Sequence, residues 1–387
     1  MSLLTELKAN LAALDHASQR RKRRVVSSPC APQVTVDGRK MLAFCSNDYL
    51  GLAAHPDISS ALAEAVQRLG TGSGASHLVS GHYDAHEKLE ARLAAFTGCE
   101  RALFFSTGYM ANTGILPALV GRGDAVFADR LNHASLVDGA LLSRAELVRY
   151  PHLDLDRLSA ALEKTPAKRR AIVTDSVFSM DGDVAPLGRL LELAEQHDAW
   201  LVVDDAHGFG VLGEAGRGAL AEAGLAHWRI VMVGTLGKAA GVAGAFVAGQ
   251  ADVIEWLMQK TRTHIFTTAS PPALAEALLA ALDLIEQGDA LRHQLAANIA
   301  VFRQTLSLKR WSVSPSRTAI QPVVIGDNAE TLRVAARLAE NGLWVPAIRP
   351  PTVPAGTARL RISLSAAHRV DEVRHLAQTL NGLEREQ

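Results

Sequence analysis

The chain has 387 residues, 48% hydrophobic and 21% charged, enough to bury a large core and to divide it between one big domain and a smaller one. Forty basic and forty acidic residues give a formal net charge of zero, so no overall field favours nucleic acid or an anionic membrane. Three cysteines (Cys30, Cys45 and Cys99) form no disulfide or metal pattern, which fits a reducing compartment, and no apolar run approaches the ~18 residues that span a bilayer.

In chain order, residues 1 to about 24 read as a helix, with Leu4, Leu7, Leu11 and Leu14 at helical spacing. The charges there follow the apolar part and include Glu6 and Asp15, which is unlike a secretory signal. The basic run QRRKRR (Gln19 to Arg24) reads as a solvated helix end. VTVDGRKMLAF follows as two short strands around an Asp-Gly turn. DISSALAEAVQRLG is a helix with Asp57 as its expected cap, and AHEKLEARLAAFTG is another. Then RALFF, DAVFA, AIVTDSV, WLVVDD and IVMVGT recur as short apolar strands between helical segments, the pattern of an α/β domain with a mainly parallel sheet. PPALAEALLAALDLIEQG and a further helix over about 290–307 lead into AIQPVVIG, LRVAARLAENG, LWVPAIRPPTV and ARLRISLS, which read as a compact α+β domain. The expected divisions are residues 1–50 (helix and short strands), 51–289 (large α/β domain) and 290–387 (α+β domain).

Ligands of open α/β sheets collect at the carboxyl ends of the strands, and polar residues gather at those ends in this sequence. WLVVDDAHGFG exits at Asp204, Asp205 and His207; AIVTDSVFSMDGD exits at Asp175, Ser179 and Asp181; IVMVGTLGK exits at Thr235 and Lys238. LFFSTGYMAN presents Gly108 and Tyr109 at a helix start, where free N–H groups suit a phosphate, and FADRLNHAS supplies His133. Taken singly each has a structural explanation; several at successive strand ends point to a site.

Other motifs fail. A P-loop needs glycine six residues before Lys238 and a hydroxyl after it, where Met232 and Ala239 stand. GTGSGASH follows a helical segment instead of a strand, so it lacks the dinucleotide context. His82 and His86 have ligand spacing, but no further ligand is evident and no metal is expected.

A lone lysine among glycine, alanine and valine in GTLGKAAGVAGA suggests a buried amine whose pKa is lowered for Schiff-base chemistry. With pyridoxal 5'-phosphate as the carbonyl partner, each nearby residue finds a role. Asp204 protonates the pyridine nitrogen, and His133 stacks on the ring. Ser179 and His207 serve the phenolic oxygen, while Gly108, Tyr109 and Thr235 bind the phosphate.

SNDYLGL, GTGSGASHLVSGH, STGYMAN, DRLNHASL, VTDSVFSMDGD, VVDDAHGFGVLGEAGRG, GTLGKAAGVAGA and RPPTVPAGTARLRISL span essentially the whole chain. Through them it resembles the α-oxoamine synthases, fold-type I pyridoxal-phosphate enzymes that join an amino acid to an acyl thioester with loss of carbon dioxide. GKAAGVAG stands where the family pattern has GKGFGVSG; small residues are retained. Within the family, AIRPPTVPAGTARLRISL favours the branch that condenses L-alanine with a pimeloyl thioester, carried on coenzyme A or on acyl carrier protein. Siblings using glycine or serine with other thioesters remain open, as does an aminotransferase on the same fold.

The resemblance implies catalytic roles for Lys238, His133, Asp204 and His207. It also implies substrate contacts at Arg21, Asn47, His133, Arg349, Thr352 and Arg361. Arg361 is favoured as the carboxylate clamp, because ARLRISLS alternates and puts Arg359, Arg361 and Ser363 on one face. A homodimer is implied as well, with Thr267 or Thr268 reaching the neighbour's phosphate; the cysteines and the N-terminal charge pattern point to a cytoplasmic location.

Overall fold

The structure is a computed structural model and describes residues 2–386. It divides into two compact units. One comprises Leu50–Ser179 and Val184–Arg292; the other joins the chain up to Tyr49, the short piece Met180–Asp183 and the chain from His293 onward. The N-terminal and C-terminal segments therefore fold together.

The first unit is built on a seven-stranded sheet. Its spatial order is Arg101–Phe105, Ala245–Gly249, Ile230–Thr235, Ala199–Asp204, Arg170–Asp175, Ala125–Asp129 and Glu146–Tyr150. The last five of these run parallel; Ala245–Gly249 is antiparallel to both its neighbours. The sequence explains why the central strands are almost continuously apolar. Helices cover both faces, so Val126, Val173, Val202 and Val231 are all fully buried, each contributing about 1.5–3 kcal/mol of apolar burial. Ile115 and Leu116 of helix Gly108–Leu119 and Leu136 of helix Ala134–Ser143 pack into the same core. In register, Asp175 lies opposite Asp204, so two strands end side by side in carboxylates.

In the second unit, Gln33–Val36 and Arg39–Ala43 form the expected antiparallel hairpin, and Asp37 (φ 49°) and Gly38 (φ 78°) take the left-handed geometry that its tight turn requires. Ser312–Val313, Ile320–Gly326, Ala358–Ser363 and Ala347–Ile348 form an antiparallel sheet in that order. Helices Asn328–Glu340 and Val370–Arg385 complete the unit. Among the described residues, no helix is long and apolar enough to cross a membrane.

Two elements differ from the sequence reading. The first helix runs only over Leu3–His16, and Ser18 turns the chain at φ 53°. Five successive cations beyond it would repel one another along a helix; instead Arg20 pairs with Asp15 and Arg24 with Asp37. The helix expected to be capped by Asp57 starts at Pro56, a favoured first position, and His55 is the cap, accepting from the Asp57 N–H.

Candidate active site

At the carboxyl edge of the sheet, one hydrogen-bonded chain fixes the polar residues. Asp204 is 4% exposed. Its Oδ1 accepts from the Ala206 N–H at 3.0 Å and its Oδ2 from Asn112 Nδ2 at 2.6 Å. The same Asn112 amide donates to Ser135 Oγ at 2.9 Å. Ser135 Oγ meets His133 Nδ1 at 2.7 Å, and the His133 N–H donates to Asp175 Oδ2 at 2.8 Å. Because the Ser135 N–H also donates to His133 Nδ1, the neutral ring carries its proton on Nε2.

Burial, and after it the Asp204 charge, raises the Asp175 carboxyl well above the usual carboxylate range. Burial lowers His133; Asp204 opposes this and Lys238 adds to it. Both residues therefore sit within the electrostatic reach of Lys238 and Asp204.

Lys238 lies in the turn after Ile230–Thr235. The turn is closed by bonds from the Leu236 N–H to Gly244 O, the Val242 N–H to Leu236 O and the Gly241 N–H to Lys238 O. Gly241 has φ 71°, and a Cβ there would stand 2.5 Å from the backbone nitrogen of Ala53. The sequence suggested a buried lysine. The structure corrects this: Lys238 is half-buried, between exposed Gly237 and buried Ala239 and Ala240, because the turn lies at the rim of the sheet.

Helix Gly108–Leu119 begins at the same edge. Thr107 caps it through the Met110 N–H, leaving Gly108 and Tyr109 in the first turn, ahead of the intrahelical bonding pattern. A Cβ on Gly108 would come 2.6 Å from Thr235 Cγ2, so glycine is what lets the helix start approach that threonine. Thr235 Oγ1 donates to Ala206 O, and the Tyr109 hydroxyl donates to Asp138 Oδ2. His207 is buried and Ser179 half-buried, each just beyond a strand end.

The remaining predicted residues lie in the second unit. Arg361 is 6% exposed and donates to Asn47 Oδ1 at 3.2 Å and Ser363 Oγ at 2.9 Å. Its neighbour Arg359 is bound instead to the Asp181 carboxylate. Arg21 Nη2 donates to Thr352 Oγ1 at 3.2 Å, and Arg349 Nη1 donates to Ser18 O. Burial, then the Arg21 charge, lowers the Arg349 pKa, and Arg349 Nε is buried with no hydrogen-bond partner.

Asn112 and Ser135 escaped the sequence reading. Asn112 is buried within helix Gly108–Leu119, and nothing in GYMANTGILPAL marked its partner.

The donor set fits pyridoxal phosphate. A buried carboxylate is fixed by neutral donors, a histidine stands within its electrostatic reach, a glycine helix start packs against the Thr235 methyl, and a lysine shares the edge. Fold and site define a fold-type I pyridoxal-phosphate transferase. Residues 39–380 match the family Aminotransferase class I and II. The chain is 70% identical, over 99% of both chains, to the 8-amino-7-oxononanoate synthase of Aromatoleum aromaticum. It is 67% identical to that of Azoarcus sp. over 99% of this chain and 98% of the relative. Among solved structures, the Sphingomonas wittichii serine palmitoyltransferase superposes with a TM-score of 0.92 at 32% identity, covering 100% of this chain and 99% of that one. The Francisella tularensis 8-amino-7-oxononanoate synthase gives 0.77 at 32% identity, covering 89% and 98%. The chain belongs to the class I and II aminotransferase family, in the branch of the 8-amino-7-oxononanoate synthases.

Proposed function

We propose that the chain condenses L-alanine with a pimeloyl thioester, yielding 8-amino-7-oxononanoate, carbon dioxide and the free thiol carrier, in biotin biosynthesis. The observation that carries this reading is the 70% identity over 99% of both chains to a synthase of that name. When bound, pyridoxal phosphate supplies an electron sink for charge developing at the amino-acid Cα.

The protein's residues divide the remaining work. Lys238 Nζ would hold the cofactor, and the same nitrogen would take the proton from the amino-acid Cα and later return one. Asp204 holds a proton on the pyridine nitrogen. Asn112 and the Ala206 N–H keep its carboxylate from rotating, and burial with the Asp204 charge raises the neighbouring Asp175 carboxyl, which disfavours a second charge there. His133 would cover the ring and contact substrate, and Ser179 and His207 would hold the phenolic oxygen. The Gly108 and Tyr109 N–H groups and the Thr235 hydroxyl bind the phosphate. Arg361 and Asn47 hold the alanine carboxylate through charge-assisted bonds. Arg21, Arg349 and Thr352 contact substrate, giving one arginine of the basic run a use beyond solvation. The enzyme works in the cytoplasm as a homodimer, and Thr267 or Thr268 serves the neighbouring subunit's phosphate.

The test is thiol release and product mass when the protein with its cofactor receives L-alanine and pimeloyl-CoA or pimeloyl-acyl carrier protein. Acetyl-, succinyl- and palmitoyl-CoA serve as comparisons. Selective release from a pimeloyl donor, with the mass of the decarboxylated condensation product, is expected. Release only from another thioester overturns the substrate assignment. Amino transfer to a 2-oxo acid with no thioester overturns the reaction class.

A further inference from the structure

Beside helix Asp84–Thr97 the first unit gathers histidines that the proposed reaction leaves unused. His77 opens a one-turn π-helix, His77–Gly81; His82 follows it, and His86 lies in the first turn of the longer helix. The sequence offered His82 and His86 without a third donor. Folding supplies it: His77 Nδ1 stands 2.8 Å from His82 Nδ1, and the trio's ligand atoms lie within 4.8 Å of one another.

Two of the outer nitrogens are already engaged elsewhere. His82 Nε2 meets Glu87 Oε2 at 3.0 Å, and His86 Nε2 donates to Ser270 O at 2.9 Å. An imidazole whose outer N–H is held by a carboxylate or carbonyl presents its inner lone pair, which is how metal-bound histidines are oriented. The two Nδ1 atoms facing each other at 2.8 Å share a proton, and that proton is what a cation would replace. His86 Nδ1 accepts the Tyr83 N–H at 3.1 Å, a bond that metal binding would give up.

His77 and His86 are buried while His82 is exposed, so a buried floor has an open entrance. Behind His77, His264 stacks at 4.7 Å between centroids; it is 3% exposed, and neither ring nitrogen has a hydrogen-bond partner. Two unsatisfied buried nitrogens are costly unless something polar occupies the cluster.

We propose that His77, His82 and His86 bind one divalent transition-metal cation of the zinc class through their Nδ1 atoms, with water completing a tetrahedral site. Three imidazoles select such a cation over magnesium or calcium, which require oxygen donors. This site is independent of the condensation reaction.

The test uses the holoenzyme, freed of adventitious metal by a chelator and then titrated with Co2+. The expected result is one Co2+ per chain, with the intense visible absorption of tetrahedral cobalt, displaced by Zn2+. His82→Ala, an exposed position that should tolerate the change, weakens Zn2+ binding at least ~100-fold; Glu87→Gln, which alters only the outer partner, weakens it about tenfold. His375→Ala, a surface histidine on helix Val370–Arg385, changes nothing. Unchanged Zn2+ affinity and cobalt spectrum in His82→Ala overturn the site. So does the absence of stoichiometric binding to the wild-type protein, which would leave a histidine hydrogen-bond cluster without a metal.

Discussion

The two groups of site residues are assembled in opposite ways. Those assigned to the cofactor follow successive strands of one sheet, and parallel topology delivers them to one edge. Those assigned to the substrate depend on distant closures: Arg361 meets Asn47 across 314 positions, and Arg21 meets Thr352 across 331. The first group is braced by a buried network running from Asp204 through Asn112 and Ser135 to His133 and Asp175. In the second, Arg21 and Thr352 are exposed and hold each other through a long side chain. A braced group should govern the chemical step, and an assembled group should govern substrate affinity.

The largest effect tests the first half of that contrast. Lys238→Ala should lower kcat by at least ~10³-fold and abolish borohydride trapping of the cofactor, with an unchanged far-ultraviolet circular dichroism spectrum. Substantial turnover in the variant would remove Lys238 from the chemistry. Asp204→Asn comes next: roughly 10²-fold or more in kcat, with cofactor retained and the KM for alanine little changed. A change confined to KM would contradict the braced-group reading.

Arg361→Lys sharpens the other half. Lysine keeps the charge but loses the planar fork, so the KM for alanine should rise about 10- to 100-fold while kcat falls less. Equal losses in kcat and kcat/KM would mean that Arg361 acts only in the transition state, and the division between the two groups would fail.

That division also decided what the sequence revealed. The strands were legible because burial on both faces demands unbroken apolar runs, and Asp204, Thr235 and Lys238 were legible because they interrupt those runs at their ends. The hairpin was legible from Asp37-Gly38, where backbone geometry dictates residue type. Arg361, by contrast, could be ranked above Arg349 from strand alternation and the family pattern, but nothing local announced Asn47 as its partner. Asn112 was missed because a helix interior gives a polar side chain no positional signature until its partner strand is placed. The end of the first helix was missed for another reason: apolar spacing continued to Leu14, while mutual repulsion among Arg20 to Arg24 acted just beyond it.

The smallest expected effect on turnover belongs to Asp205, next to Asp204 yet facing different partners. It is fully buried, and it accepts from Ser176 Oγ and the Ala219 N–H. Burial pushes its carboxyl up to about 7, against an unfolded value of about 3.9. The folded state therefore holds this proton more tightly than the unfolded chain. Its stabilising contribution is complete below about pH 4 and is lost as pH rises through about 7. At ~1.36 kcal/mol per pH unit the loss is of the order of 4 kcal/mol at most. Asp205→Asn removes the ionisation and keeps a carbonyl oxygen for the Ala219 N–H, with Ser176 able to turn its hydroxyl and accept from the new amide. Between about pH 5 and about pH 8 the wild-type protein should lose stability relative to the variant, measured as the change in Tm or denaturation midpoint. Turnover near neutral pH should stay within about twofold, as expected of a residue that supports the sheet edge without touching the reacting atoms. A parallel pH profile in the two proteins would show that Asp205 titrates alike folded and unfolded, and a collapse of kcat would move the pyridine partner from Asp204 to Asp205.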